Sequence, residues 1–380
     1  MRGYGPLSDE DARRIMDVAA ELNAAIERLT GYLGRSGAGD LEARAARLAG
    51  AGKEVALLRE LERVITAESL VEFRGALALL LDRLENGTFE IGVFGRVNSG
   101  KSSLLNHLLG ADVLPVGVTP VTAIPTRLKR GRVPRALIEF ADREPLVVPL
   151  SRLAEFSTEE QNPGNRRHVA RLEVELTSPR LPEGVTFVDT PGLGSLATNG
   201  AEETRAYLPR CDLGLVLVDA ASTVTAEDLA LLDVLRRSGA RAMVLISKAD
   251  LLQPAERHQT LAYTRRQIES LCGFSVPVHL VSVVGSEVTL CEQWFASQLQ
   301  PLLEAHREEA AASLNRKIEG LQQAVASALK VRQERRTARP VGTDPRVAAA
   351  LARLPGGLGV LADDAAAGVF AGLAAVALLA

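Results

Sequence analysis

The stretch GRVNSGKSSLLN, Gly95 to Asn106, follows the β-rich run EIGVF and leads into the helical pattern SSLLNHLLG. Its first eight residues, Gly95-Arg96-Val97-Asn98-Ser99-Gly100-Lys101-Ser102, place Gly-Lys-Ser after a glycine and four variable residues. Between a strand and a helix, that spacing builds a phosphate cradle. The glycines let backbone N–H groups turn inward, and the helix N-terminus adds favourable potential for an anion. Lys101 is placed to bridge the β and γ oxygens of a nucleotide, and the Ser102 hydroxyl to ligate Mg²⁺.

A phosphate loop alone does not select a base. FVDTPG (187–192) carries Asp189 at a strand end, where a carboxylate can hold Mg²⁺ through water, and Gly192, whose N–H can sense a γ-phosphate. LISKAD (245–250) puts Lys248 and Asp250 at the end of another strand. An Asp carboxylate there accepts from both N1–H and the amino group of guanine, donors that adenine lacks. HLVSV (279–283) brings Ser282 to the end of a later strand, within reach of the base oxygen through backbone groups. Together these segments read as a GTP/GDP site. A switch threonine completing the Mg²⁺ shell is expected in LPVGVTPVTAIPTRL (114–128), where Thr119, Thr122 and Thr126 are all candidates.

Around this centre the periodicity changes twice. From Ser8 to Glu85 apolar residues such as Ile15, Val18, Leu22, Ile26, Leu29 and Leu33 recur at helical steps. Asn86-Gly87 reads as a helix stop before a strand. From Thr88, the runs FEIGVF, ALIEF, RLEVELT, VTFVD, LGLVLVD, AMVLIS and VHLVSV alternate with helical segments such as TAEDLALLDVLRRSG. This predicts an α/β fold, a P-loop GTPase domain whose mostly parallel sheet has helices on both faces, flanked on both sides by helical-bundle segments. RLEVELT and VTFVD, joined by the turn-rich SPRLPEG, are expected to pair antiparallel at the sheet edge. The basic run RLKRGRVPR (127–135) is expected at a solvated strand edge or turn. Helical period returns from Glu292, and the boundaries read as residues 1–86, 87–295 and 296–380.

The 380 residues carry 44 basic and 47 acidic side chains, for a net charge of −3. No global field steers such a chain toward nucleic acid, and no nucleic-acid partner is expected. Three scattered cysteines without metal-ligand spacing argue against a disulfide framework or a zinc site and for a reducing, cytoplasmic setting. The opening MRGYGPLSDEDARR lacks the apolar core of a signal peptide. The uncharged run AAAGVFAGLAAVALLA (365–380) is shorter than the ~20 residues that span a bilayer, and is expected to touch a membrane or to begin a hydrophobic hairpin continuing past Ala380.

GRVNSGKSSLLN, VLPVGVTPVTAIPT, DTPGLGS, YLPRCDLGLVLVDA and LISKADLL together resemble the bacterial dynamin-like GTPases, from Thr88 to Trp294 by motif and in the flanking helices by layout. The resemblance implies that Thr122 is the switch threonine. It also implies that Gly95, Asn98, Ser99, Gly100, Lys101, Ser102, Ser103, Asp189, Gly192, Ser247, Lys248, Asp250 and Ser282 line the nucleotide site, with Mg²⁺ on Ser102, Thr122 and Asp189. Ser247 stands where the family has Thr or Asn, which keeps a hydroxyl. Val97 and Leu193 stand where dynamins and Ras-like enzymes respectively carry the glutamine that orients the attacking water. Asn98 matches the asparagine that ligates K⁺ in Era-like GTPases, so a monovalent cation, organised when two G domains meet, is expected to supply the missing charge. Lys101, Thr122 and Asn98 are then the catalytic set. The resemblance further implies a homodimer through G domains or a partner of the same family, and lipid membrane contact. The alternatives are an Era-like switch in ribosome or RNA assembly, against which the absence of a basic RNA-binding domain counts, and a GTP-gated scaffold with negligible turnover.

Overall fold

A computed structural model of the chain describes residues 52–117, 124–192 and 208–337. Helix α1 (Gly52–Ala67) buries Val55, Leu58, Leu61 and Ile65, one stripe at steps of three and four residues. A 3₁₀ turn at Val71–Phe73 leads into α2 (Arg74–Asn86), which buries Leu77, Leu80 and Leu81. Gly87 closes α2, its N–H donating to the Arg83 carbonyl at 2.9 Å, as the Asn-Gly pair predicts.

The chain then forms β1 (Phe89–Gly95), α3 (Lys101–Leu109), β2 (Thr126–Arg130), β3 (Arg135–Phe140), β4 (Leu146–Val148), the single turn α4 (Ala154–Ser157), β5 (Val169–Leu176) and β6 (Val185–Asp189). After β6 come β7 (Leu213–Asp219), α5 (Ala226–Arg237), β8 (Arg241–Ser247), α6 (Pro254–Cys272) and β9 (Val278–Leu280). The strands make one nine-stranded sheet in the order β4-β3-β5-β2-β6-β1-β7-β8-β9. From β6 through β9 every neighbouring pair is parallel. Among the other strands, β2 pairs with β5 in parallel, whereas the β2–β6, β3–β5 and β3–β4 pairs are antiparallel.

Two expectations are corrected here. RLEVELT and VTFVD do not pair: β2 lies between β5 and β6, and β6 is interior. The basic run divides: residues 127–130 lie in that intervening strand rather than at a solvated edge, while residues 131–134 make the expected exposed connection, to β3. Leu128 is fully buried, while Arg127 meets Glu90 at 2.5 Å, Lys129 meets Glu173 and Glu175, and Arg135 meets Glu175 at 2.7 Å. Cross-strand carboxylates neutralise these cations, and period-2 alternation hides the leucine between them.

Alternation also sorts the core onto two faces. Ile91 and Val93 of β1, Leu213, Leu215 and Leu217 of β7, and Met243 and Leu245 of β8 pack on one side with Leu104, Leu105 and Leu108 of α3. Phe94, Val216, Val218, Val244 and Ile246 face the other way, against Leu231, Leu232 and Leu235 of α5 and Ile268 of α6. The first face also receives Cys291 and Trp294 of α7 (Val288–Trp294), Phe295 and Leu299 of a π turn, and Leu303 of α8 (Gln300–Glu304). The long helix α9 (His306–Thr337) follows. The chain divides into two compact units, one ending at Leu321 and the other starting at Gln322, within α9. Among the described residues no helix is long and apolar enough to cross a membrane; the apolar run 365–380 lies outside them. Cys211, Cys272 and Cys291 are free, and burial pushes the thiols of Cys211 and Cys291 up to about 12.

At the amino ends of β1 and β7 a buried ionic cluster ties α2 and α9 to the sheet. Asp212 accepts from the Arg83 guanidinium and, at 2.8 Å, from the Glu90 N–H. Arg83 also donates to the carbonyls of Arg210 (2.5 Å) and Thr88 (2.9 Å). The Lys317 ammonium donates to the carbonyls of Cys211 (2.8 Å), Pro209 (2.9 Å) and Ser238 (3.1 Å). Burial pushes Lys317 down to about 8 against the attraction of Asp212, and burial pushes Asp212 up against Arg83. Removing one partner from such a cluster strands the others without water. Asp212→Ala is therefore expected to lower the unfolding free energy by about 3–5 kcal/mol, read by urea denaturation. A loss of ~0.5 kcal/mol, the size of an ordinary surface substitution, would show that Asp212 does not secure the two helices.

Candidate functional site

Because β1, β6, β7 and β8 run in parallel, their carboxyl ends collect at one edge of the sheet, where open α/β sheets bind ligands. Register brings Val93 beside Asp189, Gly95 beside Leu217, and Asp219 beside Ser247. The segments singled out in the sequence therefore converge.

The loop from Gly95 to Gly100 joins β1 to α3. Gly95 has φ +144°, and a Cβ there would lie 2.5 Å from the Leu217 carbonyl oxygen, so only glycine fits. Asn98 takes a left-handed φ of +64° in the loop. Ser99 is buried, and Ser103 is half-buried on α3. Lys101 is buried at the start of α3, with Nζ donating to the carbonyls of Arg96 (3.0 Å) and Gly95 (3.1 Å). Burial lowers its pKa, and the Asp189 carboxylate opposes that shift. Ser102 Oγ donates to Asp189 Oδ2 at 2.8 Å, so a hydroxyl and a carboxylate from two elements already stand together. Thr190 Oγ1 donates to the Val93 carbonyl at 2.7 Å, fastening the DTPG turn to β1. Gly192 lies against the phosphate loop: a Cβ there would come within 2.6 Å of Val97 Cγ2 and 2.8 Å of its backbone N.

The second half of the site lies at the ends of β8 and β9. Ser247 Oγ donates to the Val218 carbonyl at 3.3 Å. Lys248 has φ +56°, and its Nζ donates to Asp219 Oδ2 at 2.6 Å. Ser282 Oγ donates to Asp250 Oδ1 at 2.6 Å, and the Ala249 N–H donates to the Val281 carbonyl at 3.1 Å. Ser282 is thus brought to Asp250 by its hydroxyl, whereas the sequence pointed only to its backbone. Asp219 was missed altogether; its signal is an acidic residue ending the strand next to the one that ends at Ser247.

Of the three threonines, Thr119 and Thr122 lie outside the described residues, as does Leu193. Thr126 is buried in β2, with Oγ1 donating to the Ile124 carbonyl at 3.4 Å. The arrangement suits a magnesium nucleotide. A glycine-lined loop with a lysine at a helix start matches the phosphates, and the oxygen donors of Ser102 and Asp189 suit a hard cation. A separate cleft of about 600 Å³, lined by His107, Arg180 and Glu292 among others, lies at the carboxyl end of α3, opposite the phosphate loop. There Arg180 holds Glu292 at 2.7 Å, and that pairing lowers the Glu292 pKa.

Fold and loop architecture define a P-loop nucleotide-binding domain. Residues 91–249 match the profile of the Dynamin family, and this part of the chain is a dynamin-type G domain. Dynamin-like protein 2 of Campylobacter jejuni is 33% identical over 177 residues, covering 46% of this chain and 28% of its own length. The isoniazid-induced protein IniC of Mycobacterium tuberculosis is 34% identical over 168 residues, 42% of this chain and 33% of its own. A solved structure of an oligomerised bacterial dynamin pair, described as sensing and tethering membranes over long range, aligns over 75% of this chain and 58% of its own with a TM-score of 0.48 and 20% identity. The chain spans about half of one curated relative it matches, and a third or less of the two named above.

Proposed function

We propose that the protein binds and hydrolyses GTP with Mg²⁺ and couples nucleotide-dependent meeting of two G domains to membrane binding or remodelling. The observation that carries the nucleotide reading is the shared sheet edge, which holds Lys101, Ser102 and Asp189 on one side and Lys248 with Asp250 on the other. On this reading, Ser102, Asp189 and Thr122 hold Mg²⁺, which supplies positive charge to the phosphates. Lys101 gives up its loop carbonyls for phosphate oxygens, Gly192 offers its N–H to the γ-phosphate, and Asp250 accepts from the guanine edge. Asn98 holds K⁺ when two G domains face each other. Segments 1–86 and 296–380 move with the nucleotide state, either between two copies of the chain or with a relative. The apolar run 365–380 makes the lipid contact, from a cytoplasmic position.

Asp250→Asn keeps an acceptor for Ser282 but replaces one guanine-facing acceptor with a donor. Each charge-assisted hydrogen bond lost costs about 1.5–3 kcal/mol, so GTP affinity is expected to fall at least tenfold. Xanthosine triphosphate, with a carbonyl where guanine has its amino group, should gain. Calorimetric titration with GTP, ATP and the xanthine nucleotide reads this; equal binding of ATP and GTP by the unaltered protein would exclude the guanine reading.

Turnover is expected to be slow in dilute protein and to rise with concentration in K⁺ but not in Na⁺. Identical rates in both salts at every concentration would remove the cation and dimer from the mechanism. Co-sedimentation with anionic liposomes is expected to be stronger with a non-hydrolysable GTP analogue than with GDP, and absence of binding in both states would remove the membrane.

A further inference from the structure

The two side chains proposed above to select the base each have a neighbour holding them. Asp250 is fixed by Ser282 at 2.6 Å, and Lys248 by Asp219, also at 2.6 Å. Asp219 ends β7 directly beside Ser247, the residue before the lysine. Its carboxylate is fixed by its own turn: Oδ1 accepts the Ala221 N–H at 2.9 Å. The Asp219 carbonyl accepts the Ser222 N–H at 2.9 Å and the Ser222 hydroxyl at 3.1 Å. The carboxylate position therefore does not depend on Lys248. Lys248, by contrast, sits in a left-handed conformation that side-chain-bearing residues adopt at a cost, at the end of a flexible four-carbon stem.

We propose that Asp219 is a positioning residue for nucleotide binding: it pins the Lys248 ammonium so that the lysine stem is already ordered at the base site before the nucleotide arrives. This rests on the reading of Lys248 and Asp250 as the guanine-selecting pair. The physical gain is preorganisation. Lysine has many rotamers, and ordering one on binding weakens affinity unless a partner has ordered it beforehand. The half-exposed geometry fits this role, since a pair left partly in water contributes little to folding but still restricts where the ammonium can go.

The test is GTP and GDP titration of the full chain by calorimetry, with stopped-flow release. Asp219→Asn keeps an acceptor for the Ala221 N–H and removes the charge that holds Lys248. Affinity for both nucleotides is expected to fall about three- to tenfold, through faster release, with the preference for GTP over ATP and the melting temperature unchanged. Asp219→Ser, whose hydroxyl can also cap the turn, should lose the same amount and guards against a folding defect in the first variant. In a Lys248→Met background the Asp219→Asn change should have almost no effect, because the two act as one unit. Unchanged affinity in both Asp219 variants, or an equal loss with and without Lys248, overturns the positioning role and leaves the guanine site standing. Failure of the unaltered protein to bind GTP overturns both.

Discussion

Parallel pairing of β1 between β6 and β7 is the constraint on which the site depends. Parallel strands need crossovers, and these carry the helices to the two faces, so every strand of this half-sheet delivers its carboxyl end to one edge. Gly95, Asp189, Asp219 and Ser247 come from distant parts of the chain yet share that edge because of register alone. The side-chain contacts between them are short-range consequences. Ser102 reaches Asp189, and Thr190 reaches the Val93 carbonyl, only because Val93 and Asp189 are strand neighbours.

The same strands have a second end, with opposite chemistry. There Arg83, Asp212 and Lys317 form a dry cluster of charges and carbonyls that holds α2 and α9. Buried ions are poor sources of net stability, but they punish any alternative geometry that unpairs them. Such a cluster suits a junction where two helices must meet a sheet at a defined place.

How far the sequence made this legible depends on the range of the physics involved. The phosphate loop, the DTPG turn and the base loop are local patterns, and their convergence follows from the parallel topology they imply. The pairing of β5 was not legible. Proximity in sequence favoured VTFVD as its partner, whereas the structure inserts β2, which reads as a charged run because Arg127 and Lys129 are matched across strands by Glu90, Glu173 and Glu175. Charge complementarity between strands leaves no periodic signature in either strand alone. Asp219 escaped for a similar reason: its partner lies 29 residues away and is visible only in register.

The close contact of Gly192 with Val97 bears on the missing water-positioning group. A Cβ at Gly192 would meet the backbone of Val97 at under 3 Å, so the phosphate loop and the DTPG turn meet through backbone, with no room for an added side chain between them. Of the two positions where the resemblance places a glutamine, Val97 carries only methyl groups, one of which, Cγ2, lies against Gly192, and Leu193 is outside the described residues. On the proposed hydrolytic reading, a group that orients the attacking water does not fit between Val97 and Gly192. The proposed cation on Asn98, or the proposed second G domain, would supply that group without disturbing this contact.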